Sequence, residues 1–248
     1  MDQNKGFVIM AQGYQYVKCA TALELSIKRV MPDANVTIIT TDMLPHGNLG
    51  GFYNDWQVYE CSPYEYTIKL EADMYIPRNI DYWFDVLKDR DLVVCTKIKN
   101  FMQEDSDVKY YRNFIVDNKL PDTYNAITYF KKSEFAEKFF NVVRNIFENW
   151  DEYRQTLICN KDEPASTDWV YAIACHILGE ENTTLPDFTP MSMVHMKQYI
   201  NRSLTEDWTD TFVAEILPHT LRINTFAQLY PFHYHIKSFA DTLLEELT

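Results

Sequence analysis

Glu71 and Asp73 stand two residues apart in the segment KLEADMYIP, and carboxylates at that spacing suggest a grip on a hard divalent cation. Along an extended strand, residues i and i+2 face the same side, so both carboxylates would point into one cleft. A cation held there can neutralise the charge that develops on a departing diphosphate, which is what transfer from a nucleotide sugar demands. An E-x-D triplet is also a common arrangement of solvated acids, so its setting must decide what it means.

The elements that would position the pair can be read outward from it. Tyr66 to Leu70 (YTIKL) predicts a strand running into Glu71-Ala72-Asp73, and Pro77 to Ile80 begins a turn into a short helix, DYWFDVL. Upstream, the apolar run GFVIMA (Gly6 to Ala11) precedes Val17, Ala20, Leu23, Ile27 and Val30 at helical spacing. The β-branched run Val36 to Thr41 then closes a βαβ unit, and such units build parallel sheets whose ligands sit beyond the carboxyl ends of the strands. His46 to Phe52 holds half of the six glycines and reads as a loop. Further strands are expected at Asp91 to Cys95 and Ala126 to Phe130. One long helix is expected from a Ser133 cap through about Trp150, and another from Thr167 to Leu178, with Ser166 or Thr167 before it and Gly179 after it. Leu185 to Leu221 reads as irregular. The fold class that follows is α/β, a mostly parallel central sheet flanked by helices, in one domain spanning residues 1–248.

Composition narrows the function classes. A net charge of −13 repels polyanions on average, which argues against non-specific nucleic-acid binding while allowing a local basic groove. Five scattered cysteines without a C-x-x-C pair read as reduced core thiols rather than a zinc site or a disulfide framework. The apolar runs are too short to span a bilayer, and the start MDQNKG lacks the pattern of a signal peptide. A cytoplasmic protein with no membrane partner is expected.

Five segments, in order, carry a family resemblance. KLEADMYIPRNIDYWFD resembles the YLDADMLVLRNID segment of the glycogenin and galactinol synthase group of glycosyltransferases, with glutamate in place of the first aspartate. FVIMAQGYQYVKCATALELSIKRV is similar to that group's opening strand, nucleotide-binding turn and helix, and TYNAITYFKKSEFAEKF resembles its FNAGVMVFKPSEE stretch. STDWVYAIA falls where the group has a D-Q pair, and PFHYHIKSF resembles its H-x-x-G-x-x-K-P-W motif in shortened form.

The resemblance implies a GT-A, Rossmann-like fold, with residues 1–95 or so binding the nucleotide sugar and about 96–248 binding the acceptor and closing the metal site. It makes Tyr16 the ring on the nucleobase, with Met10, Ala11 and Gln12 in the same turn. Asp73 becomes the main ligand of a Mn2+ or Mg2+ ion and Glu71 a second or ribose-side ligand. His233 becomes the third ligand, with His235 the alternative; histidine among carboxylates suits manganese better. Lys237 would neutralise diphosphate oxygens, and Lys69 would contact the nucleotide or lean to solvent. Asn125 and Asp168 would contact donor sugar and acceptor. The donor implied is a UDP-sugar, and the implied outcome is retention of anomeric configuration.

For the acceptor, the compact chain is similar to phage glycosyltransferases that decorate modified DNA bases, in particular those that place arabinose on 5-hydroxymethylcytosine in T4-like phages. Two stretches could supply a cationic, ring-bearing surface for hydroxymethylated DNA: Lys97, Lys99, Lys109, Tyr110, Tyr111 and Arg112, then His195, Lys197, Tyr199 and Arg202. The other readings are a small-molecule, glycan or protein acceptor, an inactive nucleotide-sugar-binding protein, and a nucleotidyltransferase, for which no glycine-rich basic N-terminal loop is recognisable.

Overall fold

A run such as GFVIMA has no polar side chain to give to water, so it needs a sheet covered on both faces. The computed structural model, which describes residues 4–106, 112–159, 162–185, 190–217 and 220–248, supplies one. In chain order its strands are β1 (Lys5–Met10), β2 (Val36–Ile39), β3 (Tyr66–Glu71), β4 (Met74–Tyr75), β5 (Leu92–Cys95), β6 (Lys97–Lys99), β7 (Tyr124–Lys131), β8 (Ser192–His195), β9 (Ala214–Leu217), β10 (Thr220–Ile223), β11 (Phe226–Ala227) and β12 (Phe232–His233).

The central sheet has the order β2-β1-β3-β7-β5. β1 pairs parallel with β2 and β3, whereas β7 pairs antiparallel with both β3 and β5, so four strands share one direction and β7 opposes them. Helices Tyr14–Val30, Tyr82–Leu87 and Phe239–Leu247 cover one face, and helices Glu134–Glu148 and Thr167–Leu178 cover the other. The mostly parallel, helix-flanked α/β sheet read from the sequence is therefore present.

A second sheet, β4-β12-β8-β6, grows from the edge where β3 ends, and a third, β11-β10-β9, is an antiparallel meander. In the second sheet Met74 lies opposite His233, and His233 lies opposite His195. The stretch from Leu185 to Leu221, expected to be irregular, thus contributes β8, β9 and the beginning of β10. Its strands are only four residues long and lie among prolines and polar residues, which hides their period.

The helix expected to run from Ser133 through Trp150 stops at Glu148. Ser133 caps it as expected, its hydroxyl accepting from the Ala136 N–H at 3.2 Å. Asn149 leaves helical geometry with φ −116° and ψ 30°, and a new helix, Trp150–Thr156, follows. The bend lets Trp150 turn inward, where its indole N–H donates to the Glu163 carbonyl at 2.9 Å. Among the described residues no helix is long and apolar enough to cross a membrane. All five cysteines are free, and Cys19, Cys95 and Cys175 are buried.

Gly6 shows how tightly β1 is seated. A β-carbon there would stand 2.4 Å from the Tyr64 ring, whose hydroxyl is held 2.7 Å from that of Thr37. The ring cannot swing away without giving up that bond and its buried packing. Gly6→Ala is expected to destabilise the fold by about 1–3 kcal/mol through overpacking, read as a lower urea midpoint; an unchanged midpoint would show that β1 tolerates displacement.

Candidate functional site

β1 and β3 end in register, with Met10 opposite Glu71. The turn Ala11–Gly13 and the acids Glu71 and Asp73 therefore leave the sheet side by side at its carboxyl edge, the place where parallel sheets open a crevice. Gly13 takes φ 88°, a backbone shape that suits glycine, and turns the chain into the helix carrying Tyr16. The crevice encloses about 610 Å3. Met10, Gln12, Tyr16, Lys69, Glu71, Asp73, Asn125, Asp168, His233, His235 and Lys237 all line it.

Ala11 corrects the sequence reading, since its methyl is wholly buried in the core beneath the turn and does not line the crevice. For Lys69 the solvent alternative falls. Its ammonium is not in solvent but buried against Asp55 Oδ1 at 2.8 Å, and it donates to the Asn125 carbonyl at 3.1 Å. The Tyr171 hydroxyl donates to the other oxygen of Asp55 at 2.5 Å, so the lysine and its counter-ion form a paired unit in the crevice floor.

The two acids do meet, but not through strand period: β3 ends at Glu71, and Asp73 lies in the Ala72-Asp73 turn that leads into β4. Ala72 faces the core between them, while Glu71 Oε2 and Asp73 Oδ2 lie 3.2 and 3.3 Å from the same His233 nitrogen, Nε2. Asp73 is nearly buried and is also paired with the Lys237 ammonium, which lies 5.0 Å from the centre of the Tyr16 ring. The second sheet fixes this cluster, because the Tyr234 N–H donates to the Asp73 carbonyl at 3.0 Å and β12 pairs directly with β4.

Electrostatics sort these groups. Burial works to push the Asp73 carboxyl up, but His233, Lys237 and His235 outweigh it and hold Asp73 far below the usual carboxylate range. Glu71 goes the other way, raised by burial and by the Asp73 charge against the pull of His233. Burial opposes charge on His233 as well, yet Asp73 lifts it above the ordinary histidine value. His195 and His235 are pushed well below that value, first by burial and then by neighbouring imidazoles.

Asp168 and Asn125 meet on the far wall. Asp168 lies in the first turn of the helix Thr167–Leu178, behind its Ser166 cap, and its Oδ1 accepts from the Asn125 backbone N–H at 3.0 Å. Arg112 reaches Asp168 at 3.4 Å and is also paired with Asp122. The side-chain amide nitrogen of Asn125 is buried at this wall without a hydrogen-bond partner, a donor left for something that enters the crevice.

The two stretches expected to form a cationic surface do not survive as one. Arg112 is buried against Asp122, Asp168 and the Tyr124 ring, Lys99 is paired with Asp105, and His195 is buried beside His233. Lys109, Tyr110 and Tyr111 lie outside the described residues. Lys197, Tyr199 and Arg202 remain exposed, with Lys197 on the crevice rim. His195, expected on that surface, instead belongs to the crevice. The only available signal was its position ending the apolar run SMVH, a histidine where a strand meets a sheet edge. Asp55 was missed altogether, with no motif to mark it.

The donor set fits a divalent cation. Two carboxylate oxygens and one imidazole nitrogen, from Glu71, Asp73 and His233, lie within 4.8 Å of one another at the crevice wall.

No protein-family model matches the chain, and no curated protein sequence matches it. Among solved structures it is similar to the galactosyltransferase LgtC, crystallised with donor and acceptor sugar analogues, at 12% identity and TM-score 0.53, over 98% of this chain and 95% of that one. A glycosyltransferase involved in glycosylation of the major capsid of PBCV-1 matches at 10% identity and TM-score 0.46, over 97% and 98%. The bifunctional glycosyltransferase WbbM matches at 14% identity and TM-score 0.47, over 75% of this chain and 39% of that one, so the chain spans well under half of WbbM. The LgtC match identifies the fold as GT-A.

The Lys69–Asp55–Tyr171 unit gives a test of the floor. Lys69→Met leaves a buried carboxylate without its cation and is expected to destabilise the protein by about 3–5 kcal/mol, measured by urea unfolding. A loss under about 1 kcal/mol, the range of an exposed pair, would mean that the pair is solvated.

Proposed function

We propose that this protein is a glycosyltransferase that moves a sugar from a nucleoside-diphosphate donor, UDP-linked, to a hydroxyl acceptor. The observation that carries the reading is the convergence of Glu71, Asp73 and His233 on one point of the crevice, at the carboxyl ends of β1 and β3. The GT-A fold supports it.

Glu71, Asp73 and His233 would hold the divalent cation, Mn2+ in preference to Mg2+ because one ligand is an imidazole. When bound, the cation supplies charge neutralisation at the diphosphate oxygens as the sugar departs. Lys237 adds a second positive charge at the same oxygens, and its seat against Asp73 keeps it charged and in place. Tyr16, beside it at the mouth, offers a flat face to the base, with Met10 and Gln12 on the same turn. The orphan amide of Asn125 donates to a sugar hydroxyl. Asp168, anchored by the Asn125 N–H and Arg112, presents a fixed carboxylate that orients the acceptor hydroxyl and faces positive charge developing at the anomeric carbon. Donor recognition falls on residues 1–95 or so, and acceptor recognition, with the closing metal ligand, on about 96–248.

The finer reading makes 5-hydroxymethylcytosine in DNA the acceptor, receiving arabinose or glucose. Lys197, exposed on the crevice rim, and the exposed Tyr199 and Arg202 that follow it in the chain support it.

Asp73→Asn is expected to abolish metal-dependent nucleotide binding and to lower sugar transfer by at least about 100-fold, the scale of losing one preorganised electrostatic group. Full activity with unchanged metal dependence would refute the assignment. For the acceptor, donor consumption is expected with hydroxymethylated DNA and not with unmodified DNA or simple glycans; turnover on glycans alone would overturn the DNA reading while leaving the transferase reading intact.

A further inference from the structure

The cation position described above uses one side of His233. The other side of that ring faces a second set of ligand atoms. His233 Nδ1 lies 3.2 Å from His195 Nδ1, and His195 Nδ1 lies 3.2 Å from His235 Nε2. One nitrogen from each of the three rings falls within 4.8 Å of the others. All three residues line the crevice, so a path from solvent exists.

The backbone is built to hold this cluster. β12 sets His233 directly against His195 of β8, two residues buried to 3% and 4% exposure. His235 takes φ 58°, the left-handed region that a residue with a β-carbon seldom adopts. That turn brings its ring to 3.9 Å from the His233 ring and 4.4 Å from that of His195, measured between centres.

Hydrogen bonding among the rings does not account for the arrangement. A neutral imidazole has one N–H and one lone pair, so His195 Nδ1, touching two nitrogens, can satisfy at most one as donor. Three imidazole nitrogens gathered within 4.8 Å of one another are a donor set that a d-block cation takes up. Three imidazoles with an open fourth position are also a recurrent donor set for zinc.

We propose that His195, His233 and His235 form an all-imidazole site for a borderline transition-metal cation such as Zn2+ or Co2+, beside and distinct from the carboxylate position. Glu71 and Asp73 then act as outer partners, accepting from His233 Nε2–H and fixing the ring so that Nδ1 faces the cation, the carboxylate–histidine–metal arrangement. Because a neutral imidazole carries its lone pair on one nitrogen only, His233 serves one position at a time. The two cations therefore compete, the nitrogen-rich position favouring Zn2+ or Co2+ and the oxygen-rich position favouring Mn2+ or Mg2+.

The test needs no turnover and stands apart from the transferase reading. Chelator-stripped protein is titrated with Co2+ while visible absorption is followed, then back-titrated with Zn2+. The expected result is one Co2+ per chain with the strong bands of a four-coordinate, nitrogen-rich site, bleached by Zn2+. His195→Ala and, independently, His235→Gln should each weaken Co2+ binding by more than about 100-fold, beyond the roughly 10–100-fold expected of an outer partner. Asp73→Asn should keep the bands with a loss inside that outer-partner range. Metal-free thermal melts establish that each variant is folded, and the two histidine variants cover one another if one is not. Weak, six-coordinate bands in the wild type, or a folded His195→Ala protein that binds Co2+ unchanged, would overturn the proposal.

Discussion

One strand alignment organises the crevice. Met74 of β4, His233 of β12 and His195 of β8 stand in a row across the second sheet, and this row is tied to the central sheet because only the two-residue turn Ala72-Asp73 separates the end of β3 at Glu71 from the start of β4 at Met74. Residues more than a hundred positions apart in the chain thereby reach hydrogen-bonding distance. A shift of β12 by one residue would turn His233 and His235 into the core and bring Tyr234 outward. Tyr234 and Phe232, both fully buried, make that slip costly. So does the Trp208 indole N–H, which donates to the Tyr234 carbonyl at 2.7 Å.

The same region concentrates buried charge, and each charge has its own counter-ion. Asp73 faces His233 and Lys237, Lys69 faces Asp55, and Arg112 faces Asp122 and Asp168. Pairs of this kind contribute little net stability, and removing one partner is far more damaging than removing both. Their use here is geometric. Lys69 joins β3 to the Asn125 carbonyl of β7, and Arg112 holds Asp168 against the Asn125 N–H, so the acid pair and the opposite wall keep a fixed separation. Among the described Lys and Arg residues only Lys69 and Arg112 are buried, and both are held by carboxylates at this crevice.

Legibility in the sequence followed the range of the signal. Strands of the central sheet were readable because GFVIMA and VTIITT are apolar or β-branched and bounded by turn residues, and the helix Thr167–Leu178 because Ser166 and Gly179 mark its ends. The acid pair was readable as a pair because its members are two residues apart, whereas the turn at Ala72-Asp73 that places them was not. What could not be read was long-range pairing. His195 looked like part of a polar surface stretch because nothing in SMVHMK says that β8 will lie beside β12. Arg112 looked like a surface cation, and Lys69 like a nucleotide contact or a solvent-leaning residue, because their carboxylates sit 10, 56 and 14 positions away, counting Asp122 and Asp168 for Arg112 and Asp55 for Lys69. Ala11 was placed on the crevice because it belongs to the right turn, while the pleat sends its methyl to the core.

The central claim is that the crevice binds a nucleotide sugar through a cation held by Glu71, Asp73 and His233, and the most direct measurement is a thermal-shift panel of nucleotide sugars with and without Mn2+. A ligand at about 100 times its Kd stabilises the native state by about 2.7 kcal/mol, enough to move the melting temperature by several degrees in a chain of this size. The account predicts such a shift for a UDP-sugar only when Mn2+ is present. Equal shifts with and without the ion, or none for any nucleotide sugar, would contradict it.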